Sequence, residues 1–329
     1  MSQTPPPLIE LKDVSIRYRT DRGEVSAVDH LNLQVPKGAS VGLVGESGSG
    51  KSTLALALMR LLPANARVTG ELLFNGEDLA TKSESELSKG WRWRELSMVF
   101  QKSLSAMSPV HRIGHQMEDV LSIHEPHLAT AARKQRIGQA LEAVRLPERV
   151  MKLYPFELSG GMMQRTMIAL GLLCNPPFVI FDEATTALDV ITQAQILNEI
   201  KRLKTEFDLT TVVISHDVGV INAVTDIVAV LYAGQLMEVC PREEFFQNPL
   251  HPYSRALIDS VPRLHGEKKR LAGIPGSLPD LTNPPKGCRF APRCPHATEG
   301  CLETVPPLVE VSPGHRVGCT DIPFKEVAQ

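Results

Sequence analysis

Eight residues constrain this chain more than any others: Gly45-Glu46-Ser47-Gly48-Ser49-Gly50-Lys51-Ser52. The run 40–44, Ser-Val-Gly-Leu-Val, precedes them, and a stretch rich in leucine and alanine follows from Thr53 to residue 62. The spacing predicts a strand, a glycine-rich loop and a helix in succession, the context a phosphate loop requires. Glycines let backbone N–H groups curl around phosphate oxygens, and the helix N-terminus adds partial positive charge. In such a loop Lys51 reaches the β- and γ-phosphates, and the Ser52 hydroxyl ligates Mg²⁺. The competing reading, a flexible Gly/Ser turn, does not account for Lys-Ser in register with both flanks correct.

A second motif fits the first. Phe178-Val179-Ile180-Phe181 reads as a buried parallel strand that ends in Asp182 and Glu183. Asp182 can hold Mg²⁺ through water, and Glu183 can polarise an attacking water. Alone, the pair reads equally well as a solvated acidic turn; beside a phosphate loop the catalytic reading is preferred. A third motif, Leu158-Ser159-Gly160-Gly161-Met162-Met163-Gln164-Arg165, opens a helix with a glycine pair. It reads either as a second anion site at a helix N-terminus or as a simple Ser159 cap.

The rest of the chain sets the frame. Strand-like runs at 8–18, 31–35, 40–44, 97–100, 178–181, 211–214 and 227–233 alternate with helical stretches at 51–62, 131–144, 161–173, 192–207 and 218–224. That alternation predicts an α/β layer architecture. The polar stretch 81–94 reads as a surface insertion. Lys+Arg 35 against Asp+Glu 37 leaves a net charge of -2, so no basic stripe points to nucleic acid. No apolar run approaches about 18 residues, which argues against a spanning helix, and residues 1–8 lack a signal-peptide pattern. The chain is expected in the cytosol, working at a membrane only through partners.

From residue 261 the texture changes: 11 of the 25 prolines lie in the final 69 residues, a density that excludes long helices and central strands. Four of the six cysteines, Cys288, Cys294, Cys301 and Cys319, also fall there, whereas Cys174 and Cys240 stand apart as inert core thiols. The spacing lacks the C-x2-C knuckles of structural zinc, and a cytosolic compartment disfavours disulfides. An iron–sulfur cluster, an all-cysteine zinc site and unligated thiols all stay open. His296 and His315 are expected to be solvated.

In this order the motifs resemble the ATP-binding subunits of ABC transporters, over essentially the whole chain. The resemblance implies a P-loop NTPase of the ABC type: a RecA-like core with an antiparallel β subdomain and a helical subdomain at about 102–175, within an ATP-binding domain at 1–260. A small loop-rich extension at 261–329 follows. It also implies that Ser159, Gly160 and Gly161 of one subunit close over the nucleotide held by the other's phosphate loop, Gly45 through Thr53. Tyr18 occupies the place of the aromatic that stacks on adenine. Gln101 looks like the glutamine that senses Mg²⁺ and the membrane partner. Ala187-Leu188-Asp189 resembles the loop through which the two subunits touch, and His216 the histidine at the γ-phosphate.

Glu157–Arg165, Gln193-Ala194-Gln195-Ile196, Leu231-Tyr232-Ala233-Gly234-Gln235 and His251-Pro252-Tyr253 are similar to the dipeptide/oligopeptide permease branch, as are Gly287-Cys288-Arg289 and Pro292-Arg293-Cys294-Pro295. Some members of that branch carry a [4Fe–4S] cluster in this extension, with spacing like that of the four cysteines here. The branch implies a peripheral ATPase at the cytoplasmic face of the inner membrane. Its partners would be a second, distinct ATPase subunit, two permeases and, through them, a solute-binding protein. Its cargo would be peptides or, in related members, nickel, glutathione, antimicrobial peptides, opines or oligosaccharides. Ala184 stands where proline is usual after the catalytic glutamate, Lys102-Ser103 where Asp-Pro is common, and Ser108 where asparagine is common. Three rivals are weaker: a soluble ABC ATPase of translation or repair, for which no second cassette or heptad run is found; an interaction protein with a silent ATP site; and an exporter.

Overall fold

A computed structural model describes residues 7–100, 106–186, 188–260 and 273–320. In chain order its strands are β1 (Pro7–Thr20), β2 (Gly23–Pro36), β3 (Ser40–Val44), β4 (Ala66–Phe74), β5 (Glu77–Asp78), β6 (Leu96–Val99), β7 (Phe178–Asp182), β8 (Thr210–Ile214), β9 (Ile227–Tyr232), β10 (Gln235–Pro241), β11 (Val309–Ser312) and β12 (His315–Val317). Among the described residues the α-helices of five or more residues are α1 (Lys51–Leu58), α2 (Ile113–His124), α3 (Thr130–Ala143), α4 (Gly160–Gly171), α5 (Val190–Glu206), α6 (Val218–Val224), α7 (Arg242–Gln247), α8 (Pro252–Asp259) and α9 (Glu299–Glu303). The described chain divides into two units: one holds residues 35–40 and 78–214, the other 7–34, 41–77 and 215–320.

The first unit is built on parallel strands β6, β7 and β8, with Leu96 opposite Phe178 and Phe178 opposite Thr210. Every residue of these three strands is buried, which matches their near-continuous apolar sequences. α4 lies against β6: Ser97 Oγ donates to Gly171 O (2.7 Å), and a side chain at Gly171 would meet Val99. α2 buries Ile113, Met117, Leu121 and His124, recurring at helical spacing. α5 carries Glu199, 3% exposed, which is paired with Arg202 at 2.9 Å and with Arg145 and Arg165 at longer range.

The second unit has two sheets. β2, β1, β4 and β5 form an antiparallel one, in that order. Its β1–β4 register slips between Lys12 and Ser15, where Gly70 (φ +85°) brings its backbone so close to Asp13 that a Cβ would lie 2.3 Å from the Asp13 carbonyl. The other sheet runs β11-β12-β10-β9-β3, with β3 and β9 parallel and the remaining pairs antiparallel.

Among the described residues no helix is long and apolar enough to cross a membrane. Several expectations require correction. The helix expected at 51–62 stops at Leu58, with Arg60 in the left-handed region and Pro63 following. The run at 31–35 is the end of a strand that begins at Gly23. The proline-rich tail does contain an internal strand: β12 is paired on both edges, because 314–320 carries no proline. His315 is 1% exposed rather than solvated, and bonds Glu238 of β10. The insertion at 81–94 is tied down by buried Leu87 after a Ser83–Glu86 capping box. Cys240 is buried, as expected, and its thiol is pushed far above the usual range by burial; Cys174 is only half-buried rather than core, and its thiol is pushed up to about 11, again by burial first. Both thiols are therefore protonated and inert at neutral pH.

Candidate functional site

The buried strand β3 delivers the chain into the phosphate loop. At Gly45 (φ +149°) a Cβ would sit 2.0 Å from the Leu231 carbonyl, and at Gly50 (φ +102°) 2.5 Å from the Ala27 carbonyl. Both positions therefore admit only glycine, by conformation and by space. Lys51 opens α1 and is buried; its ammonium donates to Gly45 O (2.7 Å), Glu46 O (2.8 Å) and Ser49 Oγ (3.1 Å). The loop thus curls around its own lysine. Ser49 closes the curl with its N–H on Glu46 O, while its carbonyl accepts from Gly234 N. α1 has no side-chain N-cap hydrogen bond, and the positive end of its dipole faces the loop mouth, the arrangement that favours anions. Ser52 is exposed there. Tyr18 donates to Thr53 Oγ1 at 3.4 Å, which sets the half-buried ring beside the start of α1. Ser215 N–H reaches Leu43 O at 3.5 Å, so the exposed His216 emerges next to the end of β3.

Support for the loop comes from behind. His251 caps α8: its Nδ1 accepts from the Tyr253 N–H at 3.0 Å, which requires a neutral ring with its proton on Nε2. Burial lowers the His251 pKa to about 4, consistent with that role. Tyr253, fully buried, accepts the Glu46 N–H on its hydroxyl at 2.9 Å. The His-Pro-Tyr triplet thus has a physical task, to hold the second residue of the phosphate loop. That task was not legible in the sequence, which showed the triplet but not its partner 207 residues upstream.

The acidic pair lies in the first unit. Asp182 ends β7 and is 8% exposed. Glu183 stands in the left-handed region (φ 48°), pinned by its N–H on Ile214 O (2.9 Å), and its carboxylate accepts from Thr186 Oγ1 (3.2 Å). A non-glycine residue at positive φ stores backbone strain, a feature concentrated at functional sites. Ala184 is buried behind it and leaves both carboxylates in register.

In the same unit Ser159 does cap α4, accepting from Met162 N (3.3 Å). Its glycine pair is nevertheless exposed or half-exposed and lies against the start of α5: a Cβ on Gly161 would sit 2.7 Å from Thr192 Cγ2. Asp189 caps α5 through Thr192 N (3.0 Å) and Thr192 Oγ1 (2.6 Å), bonds that hold its carboxyl below the usual range. The structure thus brings the Ser-Gly-Gly motif and the Asp189 cap together. Gln101, Lys102, Ser103 and Ala187 lie outside the described residues.

Cys288, Cys294, Cys301 and Cys319 line one small pocket with His251 and Phe290. Cys288 N–H bonds Cys301 O at 2.8 Å, and burial raises the Cys288 and Cys294 thiols. A different trio, Glu238, Cys240 and His315, brings its ligand atoms within 4.8 Å of one another. It does not fit a metal: the Glu238 oxygens already accept from Leu250 N, His251 N and His315 Nε2 at 2.6 to 2.9 Å.

A strand–loop–helix cradle around a buried lysine, with an acidic parallel strand in the same chain, defines a P-loop ATPase. Residues 28–186 match the ABC transporter family, and residues 237–301 match the oligopeptide/dipeptide transporter C-terminal region. The chain is 44% identical to the oligopeptide transport ATP-binding protein OppD of Escherichia coli over 98% of its length and 94% of the relative's. It is 43% identical to that of Bacillus subtilis, over 94% and 87%. Among solved structures, a dimeric bacterial ABC transporter cassette, MJ0796, aligns with a TM-score of 0.63 at 28% identity, covering 71% of this chain and 98% of that one. The chain belongs to the ATP-hydrolysing subunits of ABC transporters, with their P-loop α/β fold.

Proposed function

We propose that this chain energises an importer of oligopeptides, acting at the cytoplasmic face of the membrane. One observation carries the reading: the likeness to proteins named for oligopeptide transport runs end to end and includes the C-terminal region. In this reading Lys51, Ser52 and the loop amides hold the ATP phosphates, with Mg²⁺ on Ser52, Asp182 and Gln101. Tyr18 stacks on adenine. Glu183 orients the attacking water and accepts its proton, and His216 contacts the γ-phosphate. Catalysis is then positioning and charge neutralisation, with little covalent work by the protein. Ser159, Gly160, Gly161 and Asp189 serve the nucleotide of a second, distinct ATPase subunit, and two permeases convert closure of the pair into movement of a peptide handed over by a binding protein. The ATP-binding domain is assigned to 1–260, with its helical part at about 102–175, and the extension to 261–329.

The same proposal gives the four tail cysteines a [4Fe–4S] cluster. Four cysteine side chains around one pocket support it. The group would supply the staple that a proline-rich segment with little core of its own needs. Mild solubilisation, purification through a tag on this chain and mass spectrometry test the transport reading. Recovery of two permeases and a second ATPase supports it, and ATPase activity raised by a peptide-loaded binding protein in proteoliposomes identifies the cargo. Recovery of ribosomal or DNA-repair factors instead would refute it. Anaerobic purification with iron and acid-labile sulfide analysis tests the cluster; zinc or no metal refutes it.

A further inference from the structure

The C-terminal extension reaches the phosphate loop through one side chain. Arg293, immediately before Cys294, donates from Nη1 to Glu46 Oε2 (2.9 Å) and from Nη2 to Glu46 Oε1 (3.0 Å). This is the two-pronged carboxylate pairing that only arginine makes. The guanidinium is itself fixed on all sides: Nη1 also meets Tyr232 Oη (3.0 Å), Nε donates to Pro275 O (2.7 Å), and Nη2 donates to Ile274 O (2.9 Å). Its plane sits over the Tyr232 ring at 5.6 Å, and the side chain is 6% exposed. Tyr232 in turn packs edge-on against both Tyr253 and Phe290.

Glu46 is held at every polar group it has. Its N–H is on Tyr253, its carboxylate on Arg293, and its carbonyl accepts from both Lys51 Nζ and Ser49 N. Arg293 therefore anchors the side chain of the residue whose carbonyl anchors the phosphate-binding lysine. A second tail residue also approaches the loop: the Leu278 side chain comes 3.4 Å from where a Cβ on Gly48 would stand.

We propose that Arg293 is a positioning residue for ATP binding, which makes the cysteine-lined extension a determinant of nucleotide affinity through the Arg293–Glu46 pair. A turn that is misplaced at Cys288–Cys294 releases the arginine, the arginine releases Glu46, and the loop loses its preset curl. The inference rests on ATP binding by the phosphate loop alone, so it stands or falls independently of the cargo and of whatever the thiols hold.

The test is a thermodynamic cycle on the full-length chain, with ATP affinity measured by titration calorimetry for Arg293→Ala, Glu46→Ala and the double variant. Arg293→Ala is expected to weaken ATP roughly tenfold, within the usual range of coupling between linked sites. The double variant is expected to be no weaker than Glu46→Ala, since both remove one interaction. Arg293→Lys, which keeps the charge but not the fork, should recover only part. Hydrogen exchange separates positioning from bulk loss of the tail: residues 45–51 should lose protection in Arg293→Ala while 288–294 retain theirs. Should Arg293→Ala fail to fold, Glu46→Gln leaves the arginine in place and carries the same expectation. An affinity within twofold of the parent for the folded variant, additive losses in the double variant, or equal loss of protection in both segments would each overturn the proposal.

Discussion

Replacing Glu238 by alanine should loosen the tail more than any other single truncation among its described contacts. Glu238 lies on β10, is fully buried, and serves three donors: Leu250 N at 2.9 Å, His251 N at 2.9 Å and His315 Nε2 at 2.6 Å. Burial alone would raise its carboxyl pKa, but the bonds from His315 and from the Leu250 and His251 amides outweigh it and hold the group below the usual carboxylate range. Truncation strands all three donors where water does not reach. Breaking a buried pair of this kind costs about 3–5 kcal/mol. His315→Ala should cost less, about 1–3 kcal/mol, because the carboxylate keeps two backbone donors. Hydrogen-exchange mass spectrometry on the full chain reads the opening free energy of β10, β12 and 250–253 separately. A loss below about 1 kcal/mol in Glu238→Ala, or equal losses in the two variants, would refute the reasoning that the pair and its amides bind the tail to the sheet.

Glu183→Gln should bind ATP and release phosphate about 10²–10⁴-fold more slowly, so that nucleotide stays on the purified complex as ATP; rapid turnover would remove Glu183 as the base. Gly45→Ala should abolish tight ATP binding, because left-handed backbone alone costs about 1–3 kcal/mol and the new methyl meets the Leu231 carbonyl; retained affinity would show that the loop does not need that close approach. His251 titrates near 4 when folded and at 6.5 when exposed, so its contribution is intact above 6.5 and is lost as pH falls toward 4, by about 3 kcal/mol. Unfolding free energies measured from pH 7.5 to 4.5 should decline over that interval, and His251→Asn should flatten the decline; an unchanged slope in the variant would assign the acid sensitivity elsewhere.

Much of the frame is legible because the relevant signals are local. β3, β7 and β8 are short apolar runs that end in chemically marked residues, and the caps Ser159 and Asp189 sit one position before their helices. α2 was equally legible from Ile113, Met117, Leu121 and His124, yet its polar fraction hid the period from a reading by apolar runs. β4 was harder, since Gly70 and the slip opposite Lys12–Ser15 break its alternation. β10 resisted for a different reason: Glu238 looks like a solvent-facing charge until His315, 77 residues later, is placed beside it. The same distance problem hid Arg293, which the sequence offers only as a neighbour of Cys294, and Tyr253, which it offers only as part of a recurring triplet.

Those long-range partners obey one arrangement. Three residues of the thiol-bearing tail reach carboxylates elsewhere in the unit. Arg289, next to Cys288, pairs with Asp29 at 3.0 Å and donates to Ser26 and Ala233; Arg293, next to Cys294, pairs with Glu46; and His315, four residues before Cys319, pairs with Glu238. Buried ion pairs roughly break even against apolar packing, so the two arginine pairs do not by themselves make the tail stable. Their effect is to choose its position, since a slip by one residue strands a charge in the interior. Burial lowers the Arg289 pKa against the pull of Asp29. Apolar stabilisation then comes from Phe290, packed among Tyr232, Tyr253 and His251. Because Arg289 and Arg293 each adjoin a cysteine, the placement of the Cys288–Cys294 turn also sets both cations. One of those cations ends on the phosphate loop.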